Sequence, residues 1–130
     1  MAVKNLPEGW LTGPEARTLR RLAAGKVVLE MGAFKGRSTV TLAETAAHVI
    51  SVDRHQGVPG HDPDSLPDYL ENVRALANVT IVIGDFSIVE QFDSHSISMV
   101  YIDGNHDYDS VSRDVELAAA VTNPEIVAFH

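Results

Sequence analysis

The chain has no cysteine, and its 10 lysines and arginines are outnumbered by 18 aspartates and glutamates. Without thiols it forms neither disulfides nor thiolate metal sites. The formal net charge of −8 disfavours a nucleic-acid partner, because binding to a phosphate backbone depends on clustered basic side chains. We therefore expect no nucleic acid among its partners.

Long apolar runs are also missing, as is a basic N-terminal stretch followed by an apolar segment. We expect a cytoplasmic protein that does not enter a membrane. Apolar residues make up 45% of the chain and charged residues 22%, which is the balance of a globular protein. The length favours one domain over residues 1–130, with a core of two or three layers.

The stretch Val27–Ser38 combines a buried strand, a glycine-rich turn and the start of a helix. Its first three residues are apolar, as in a covered parallel strand, and Glu30 and Gly32 end that run. Gly32 and Gly36 permit positive φ or a close approach to a ligand, and Ser38 can cap a helix predicted over residues 38–48. Free N–H groups and a helix dipole in such a turn favour an anionic or dipolar ligand.

The spacing of the glycines distinguishes two kinds of nucleotide-binding turn. A nicotinamide or flavin fingerprint has three glycines, and Phe34 occupies the middle position here. The order Glu30, Gly32, Gly36 instead resembles motif I of class I S-adenosylmethionine (SAM)-dependent methyltransferases. The alternative is an ordinary tight turn between a strand and a helix.

Further predicted strands end in an acid, at Asp53, Asp85 and Asp103. Asp53 lies 21 positions after Gly32 (53 − 32), close to the spacing at which an acid binds ribose hydroxyls. It could also cap the following loop. Strands that alternate with helices imply a doubly wound parallel sheet, and ligands bind at the carboxyl edge of such a sheet.

Residues 54–67 form a predicted loop that contains His55, His61, Asp62 and Asp64. A metal site is one interpretation of this composition. The spacing is neither that of a helix nor that of a hairpin, so we favour a polar loop that flanks the site.

Residues 101–108, Tyr-Ile-Asp-Gly-Asn-His-Asp-Tyr, resemble the Ile-Asp-Gly-x-His-x-Tyr signature of a class I methyltransferase subfamily. That subfamily includes small O-methyltransferases and relatives of the cephalosporin hydroxylase assembly. The resemblance covers residues 26–130. It implies an α/β, Rossmann-like sheet of strand order 3-2-1-4-5, from which the last two strands of the family are missing.

The resemblance also implies a set of site residues. SAM would be bound by residues at the ends of the first three strands: Glu30, Gly32, Gly36, Ser38, Asp53, Asp85 and Phe86. The last two would contact adenine, although Asp85 could instead cap a short helix over residues 87–91 and Phe86 could belong to the core. Many members bind magnesium near the transferred methyl group, and the matching positions are Asp103 and His130.

Methyl transfer requires a nucleophile that is aligned with the sulfonium and relieved of its proton. His106 is a candidate base, because imidazole can be neutral near pH 7, and the alternative is a turn residue bound to backbone. A cation on Asp103 would instead lower the pKa of the acceptor hydroxyl. Both residues are therefore candidates for catalysis.

Three functions are compatible with these patterns. The favoured one is a SAM-dependent methyltransferase that acts on a small hydroxylated molecule. The others are a catalytically silent binding or assembly module of the same fold, and a nicotinamide-type oxidoreductase. The fifth predicted strand, residues 125–130, would leave an open apolar edge, so we also expect a homo-oligomer.

Overall fold

A computed structural model describes residues 6–56, 64–91, 96–104, 108–122 and 124–130 of the chain. Helices and strands alternate along it. In order they are α1 (Gly13–Ala23), β1 (Val27–Met31), α2 (Arg37–Ala43), β2 (His48–Asp53), α3 (Leu66–Val73), β3 (Val79–Ile83), a 3₁₀ helix (Phe86–Gln91), β4 (Met99–Ile102), α4 (Tyr108–Val121) and β5 (Ile126–Phe129).

The strands form one five-stranded sheet in the order β3-β2-β1-β4-β5, and every pair is parallel. This confirms the predicted α/β fold and strand order. The order reverses between β1 and β4, where the chain crosses from one half of the sheet to the other. Ligands of doubly wound folds bind at such a switch point, outside the carboxyl ends of the strands.

Alternate residues of β1 face opposite sides of the sheet, and each side is covered. Val28 packs in a cluster with Leu19 of α1 and Leu42 of α2. Leu29 packs on the other face, in a cluster that includes Ala118 of α4 and Val89 of the 3₁₀ helix. Both β1 residues are fully buried, so the central strand lies in the middle of three layers.

Helix α2 is shorter than the sequence predicts, since it ends at Ala43 instead of residue 48. The chain must turn back at this point to begin β2 beside β1. Thr45 Oγ1 donates to the Arg20 carbonyl (2.6 Å), and the Ala47 N–H donates to the Lys26 carbonyl (2.8 Å). These contacts with the end of α1 and the start of β1 form the turn.

Strand β5 forms one edge of the sheet and exposes Val127 and Phe129 to solvent.

Within the part of the chain that the structure describes, no helix is both long and apolar enough to cross a membrane.

Candidate functional site

An open cavity of about 620 Å³ lies at the carboxyl edge of the sheet. This volume is within the range of about 300–1,000 Å³ that is typical of small-molecule sites. The cavity is lined by residues that follow four of the strands and by one side of α4: Gly32, Asp53, Arg54, Gln56, Asp85, Phe86, Ser87, Asp103, Gly104, Ser110, Arg113, Asp114 and Leu117.

The wall carries acidic, basic and apolar groups. Its four aspartates offer hydrogen-bond acceptors, and its two arginines, Arg54 and Arg113, offer donors. Phe86 and Leu117 supply apolar surface. Such a wall suits a ligand that has several polar groups and some apolar surface.

Gly32 follows β1 at the base of the cavity, where its backbone lies close to the backbone that follows β4. Its φ is 101°, and a Cβ there would lie 2.1 Å from the carbonyl oxygen of Asp103. The Asp103 N–H also donates to the Met31 carbonyl (2.8 Å), which holds the two strand ends together. Only glycine fits at position 32 without moving backbone, because this contact is with a main-chain atom.

Asp53 connects the end of β2 to the glycine-rich turn. Its Oδ2 accepts hydrogen bonds from the N–H groups of Ala33 (2.7 Å) and Phe34 (3.0 Å), and its Oδ1 accepts one from His55 (2.8 Å). Because a carboxylate has about four lone-pair sites, Oδ1 can accept one further hydrogen bond from a ligand in the cavity. The loop-capping interpretation is therefore confirmed, and the ribose contact stays a prediction.

Glu30 lies beneath the turn and not in the cavity wall. Its carboxylate is fully buried and accepts hydrogen bonds from the hydroxyls of Ser38 (2.6 Å), Thr39 (2.5 Å) and Ser51 (2.8 Å). Burial raises the pKa of Glu30 to about 7, although the three hydroxyl donors act in the opposite direction. These contacts join β1, β2 and the first turn of α2.

Two other predicted cofactor residues also lie behind the wall. Gly36, with φ of 97°, precedes α2, and a Cβ there would lie 2.7 Å from Cγ2 of Val73 in α3. Ser38 is directed at Glu30. Gly36 therefore allows α2 and α3 to pack closely, while Ser38 belongs to the buried network.

Asp85 and Phe86 line the cavity beyond β3. Oδ1 of Asp85 accepts from the Ser87 N–H (3.1 Å), so this side chain caps the 3₁₀ helix, as the alternative interpretation predicted. The Phe86 ring packs in the core cluster of α4 and also closes on Gly104, where a Cβ would lie 2.9 Å from its Cε2. Adenine contact by either residue stays a prediction.

Asp103 and His130 lie together, as predicted, at the ends of β4 and β5. Nδ1 of His130 is 3.5 Å from Oδ1 of Asp103, and its Nε2 is 3.1 Å from Oε2 of Glu15. Glu15 belongs to the N-terminal capping box of α1, and its hydrogen bonds with Thr12 lower its pKa. His106 lies outside the described residues.

The described donors at Asp103 do not by themselves form a magnesium site. Within the described ranges, no group of three or more histidines or carboxylates is arranged to hold a metal ion. Magnesium prefers an octahedron of oxygen ligands, whereas the neighbour of Asp103 is an imidazole with each ring nitrogen beside a carboxylate.

The sequence analysis did not predict that α4 contributes part of the cavity wall. Ser110, Arg113, Asp114 and Leu117 all line the cavity. Their spacing of i, i+3, i+4 and i+7 places them on one face of a helix, so this pattern could have revealed them. Arg54 and Gln56 were also missed, and their only signal is their position just after the acid that ends β2.

A family model described as a methyltransferase domain matches residues 29–130. The chain belongs to this methyltransferase domain family. The match begins within β1 and includes the other four strands in full, so it covers all the residues that line the cavity. No curated protein matches the chain.

Several solved structures, methyltransferases among them, share the fold of this methyltransferase domain. The O-methyltransferase TomG from Streptomyces achromogenes, in complex with SAM, matches with 18% identity and a TM-score of 0.69 over 88% of this chain. Cofactor-bound Rv0187 from MTB matches with 20% identity and a TM-score of 0.69 over 91%. An rRNA methylase from Streptococcus thermophilus matches with 11% identity and a TM-score of 0.64 over 85%.

The chain spans 53% of the length of TomG, 55% of Rv0187 and 63% of the rRNA methylase. At these identities the likeness shows the fold alone. Proteins of this fold include both an O-methyltransferase and an rRNA methylase, so the fold does not identify the methyl acceptor.

Proposed function

We propose that this methyltransferase domain binds SAM in the cavity at the carboxyl edge of its sheet and methylates an oxygen of a small hydroxylated molecule. One observation carries the cofactor assignment. In a chain that belongs to the methyltransferase domain family, one cavity is lined by Gly32 after β1, Asp53 after β2 and Asp85 after β3.

The wall suggests how the cofactor would lie. Its methionine part would pass over Gly32, where no side chain obstructs the backbone. Its ribose would donate to the remaining acceptor position of Asp53 Oδ1. Its adenine would lie beside Asp85 and Phe86, which offer an acceptor and an apolar ring.

SAM supplies an activated methyl group, so the protein must chiefly position the acceptor and accept its proton. The methyl group passes from the sulfonium to the acceptor oxygen, the bond to sulfur breaks, and the proton leaves with a base. Asp103 lines the cavity and has His130 beside it. Asp103 and the predicted base His106 are the candidates for this step.

The small acceptor and the O-methyltransferase subfamily are parts of the same proposal. The net charge of −8 supports an acceptor other than nucleic acid, because a phosphate backbone would be repelled. The motif at residues 101–108 supports the subfamily. Magnesium dependence is a separate prediction, and full activity in a chelator would reject it and leave His106 as the candidate base.

Calorimetry with S-adenosylhomocysteine and, separately, with NAD tests the cofactor. We expect binding of the first at one site per chain and no binding of NAD. Transfer of a labelled methyl group from SAM to a panel of hydroxylated small molecules tests the reaction. Binding without transfer to any acceptor would favour a silent SAM-binding module, and binding of NAD alone would reject the proposal.

A further inference from the structure

Two non-glycine residues with positive φ occur in the described parts of the chain, Phe34 (48°) and His55 (58°). Left-handed backbone is unfavourable for residues with a Cβ and persists where the surroundings hold it, often at functional sites. Both residues donate their backbone N–H to the carboxylate of Asp53, Phe34 to Oδ2 and His55 to Oδ1. The carboxylate of Asp53, which lines the cavity, therefore stabilises both residues in the unfavourable left-handed conformation.

The imidazole of His55 is buried, with 2% of the residue exposed. Its Nδ1 lies 3.1 Å from Oγ of Ser65 at the start of α3, and its ring packs against the ring of Tyr69, tilted by 38°, with the centroids 4.1 Å apart. The backbone of Phe34 raises the pKa of the ring, as an acceptor close to one of its nitrogens does.

Phe34 is thus held on two sides, by Asp53 at its N–H and by the His55 ring at its backbone acceptor. These contacts join the glycine-rich turn to the ends of β2 and the start of α3. We propose that His55 is a positioning residue, whose imidazole keeps the turn over residues 32–36 in the conformation that binds the cofactor. This inference rests on the proposed SAM site.

The charges around the ring support this role. Burial has the largest effect on His55 and lowers its pKa, whereas the carboxylates of Asp53 and Asp64 oppose that shift. The hydroxyl of Tyr69, whose ring packs against His55, donates to Ser51 (2.7 Å), which donates to Glu30. At neutral pH the ring is therefore a neutral bridge between backbone and hydroxyl groups, with polar partners on each side that position it.

His55→Phe is the direct test, because phenylalanine keeps a ring beside Tyr69 and loses both hydrogen bonds. The matched control is His48→Phe, which changes a histidine whose Nε2 lies 2.7 Å from Thr80 Oγ1, away from the cavity. The first measurement is amide hydrogen exchange at Ala33 and Phe34 in ligand-free protein. We expect exchange about tenfold faster in His55→Phe and unchanged in the control.

The second measurement is the affinity for S-adenosylhomocysteine, which we expect to fall about 5- to 20-fold in His55→Phe at unchanged stoichiometry. If His55→Phe does not fold, Ser65→Ala removes one partner of the ring and should change both readouts in the same direction, by about half as much on a logarithmic scale.

A lower melting temperature with unchanged amide exchange and unchanged affinity would show that His55 is only a core residue, and would overturn the inference. Failure of the wild type to bind S-adenosylhomocysteine would instead reject the proposed function. The amide-exchange measurement uses no ligand, so it tests the contact of His55 with the turn in either case.

Discussion

The two sides of the cavity differ in how their polar groups are held. On the β1–β2 side, Glu30 and His55 are buried, and Asp53 is bound to three backbone N–H groups. On the β4–β5 side, the side chains of Asp103 and His130 are 29% and 21% exposed, and Nδ1 of His130 lies 3.5 Å from Oδ1 of Asp103. The first side is organised before a ligand arrives, whereas solvent weakens the contacts of the second.

This comparison assigns different tasks to the two sides. A preformed, hydrogen-bonded turn is suited to holding a cofactor, because little ordering is required on binding. Partly exposed groups joined by weaker contacts can adjust to an acceptor. We therefore expect substitutions on the β1–β2 side to change stability and cofactor affinity, and those on the β4–β5 side to change transfer.

The largest expected effect is that of Gly32→Ala. A Cβ would meet the Asp103 carbonyl oxygen at 2.1 Å, at a φ of 101°. Overpacking and left-handed strain together should cost about 3 to 5 kcal/mol of unfolding free energy, measured by urea denaturation. Gly25→Ala is the matched control, since φ there is 71° and nothing lies within 4 Å, so it should cost only about 1 kcal/mol. Equal costs would contradict the close approach of β1 and β4.

Glu30→Gln should remove a pH dependence of stability. The pKa of Glu30 rises from 4.5 to about 7 on folding, mainly through burial. Between those values the folded state holds a proton that the unfolded state has lost, so stability falls as pH rises. We expect the wild type to lose about 2 to 3 kcal/mol relative to Glu30→Gln between pH 5 and pH 7.5.

Denaturant titrations of both proteins across that pH range measure the difference between their free energies of unfolding. The contribution of the histidines cancels in this difference, because both proteins contain them. Parallel stability curves would show that the buried network does not hold Glu30 as described. A wild type that gained stability relative to the variant as pH rose would reverse the sign of the pKa shift.

Asp103→Asn tests the other side of the cavity. We expect affinity for S-adenosylhomocysteine to stay within about threefold, because the proposed cofactor contacts lie at the ends of β1 to β3. Methyl transfer should fall by about 100-fold or more, the scale of lost acid–base catalysis, when measured with labelled SAM and an acceptor found in the panel. Full activity in this variant would remove Asp103 from the chemistry.

The smallest effect is expected from His130→Gln. His130 lies between the carboxylates of Asp103 and Glu15 in contacts that solvent reaches, and polar contacts of this kind contribute about 0 to 1 kcal/mol. Transfer should therefore fall by no more than about fivefold, with cofactor affinity unchanged. His48→Gln serves as the control. A loss as large as that of Asp103→Asn would show that His130 itself acts in the reaction.

The order of the strands and the positions where they end could be predicted from the sequence, because the apolar runs stop at an acid or a glycine. Gly32, Asp53, Asp85 and Asp103 follow four such runs, and the parallel sheet brings them to one edge. Asp103 and His130, the two predicted metal ligands, also lie next to each other, because β4 and β5 are neighbouring strands.

The roles of individual side chains were harder to predict. Glu30 ends the same run as Gly32, yet its carboxylate points to three hydroxyls, two on α2 and one on β2, which the sequence separates by 8 to 21 positions. Likewise, the burial of His55 depends on the ring of Tyr69 and the hydroxyl of Ser65. Such contacts depend on how helices pack on the sheet, which local patterns do not specify.

The measurement that tests the central claim most directly is calorimetry of S-adenosylhomocysteine with the wild type and with Asp53→Ala. Glu125→Ala is the control, because it removes an equal charge from an exposed side chain that precedes β5 and is not part of the cavity wall. We predict that Asp53→Ala binds more weakly by about 1.5 to 3 kcal/mol and that Glu125→Ala matches the wild type. Equal affinity in all three proteins would contradict the assignment of the cofactor to this side of the cavity.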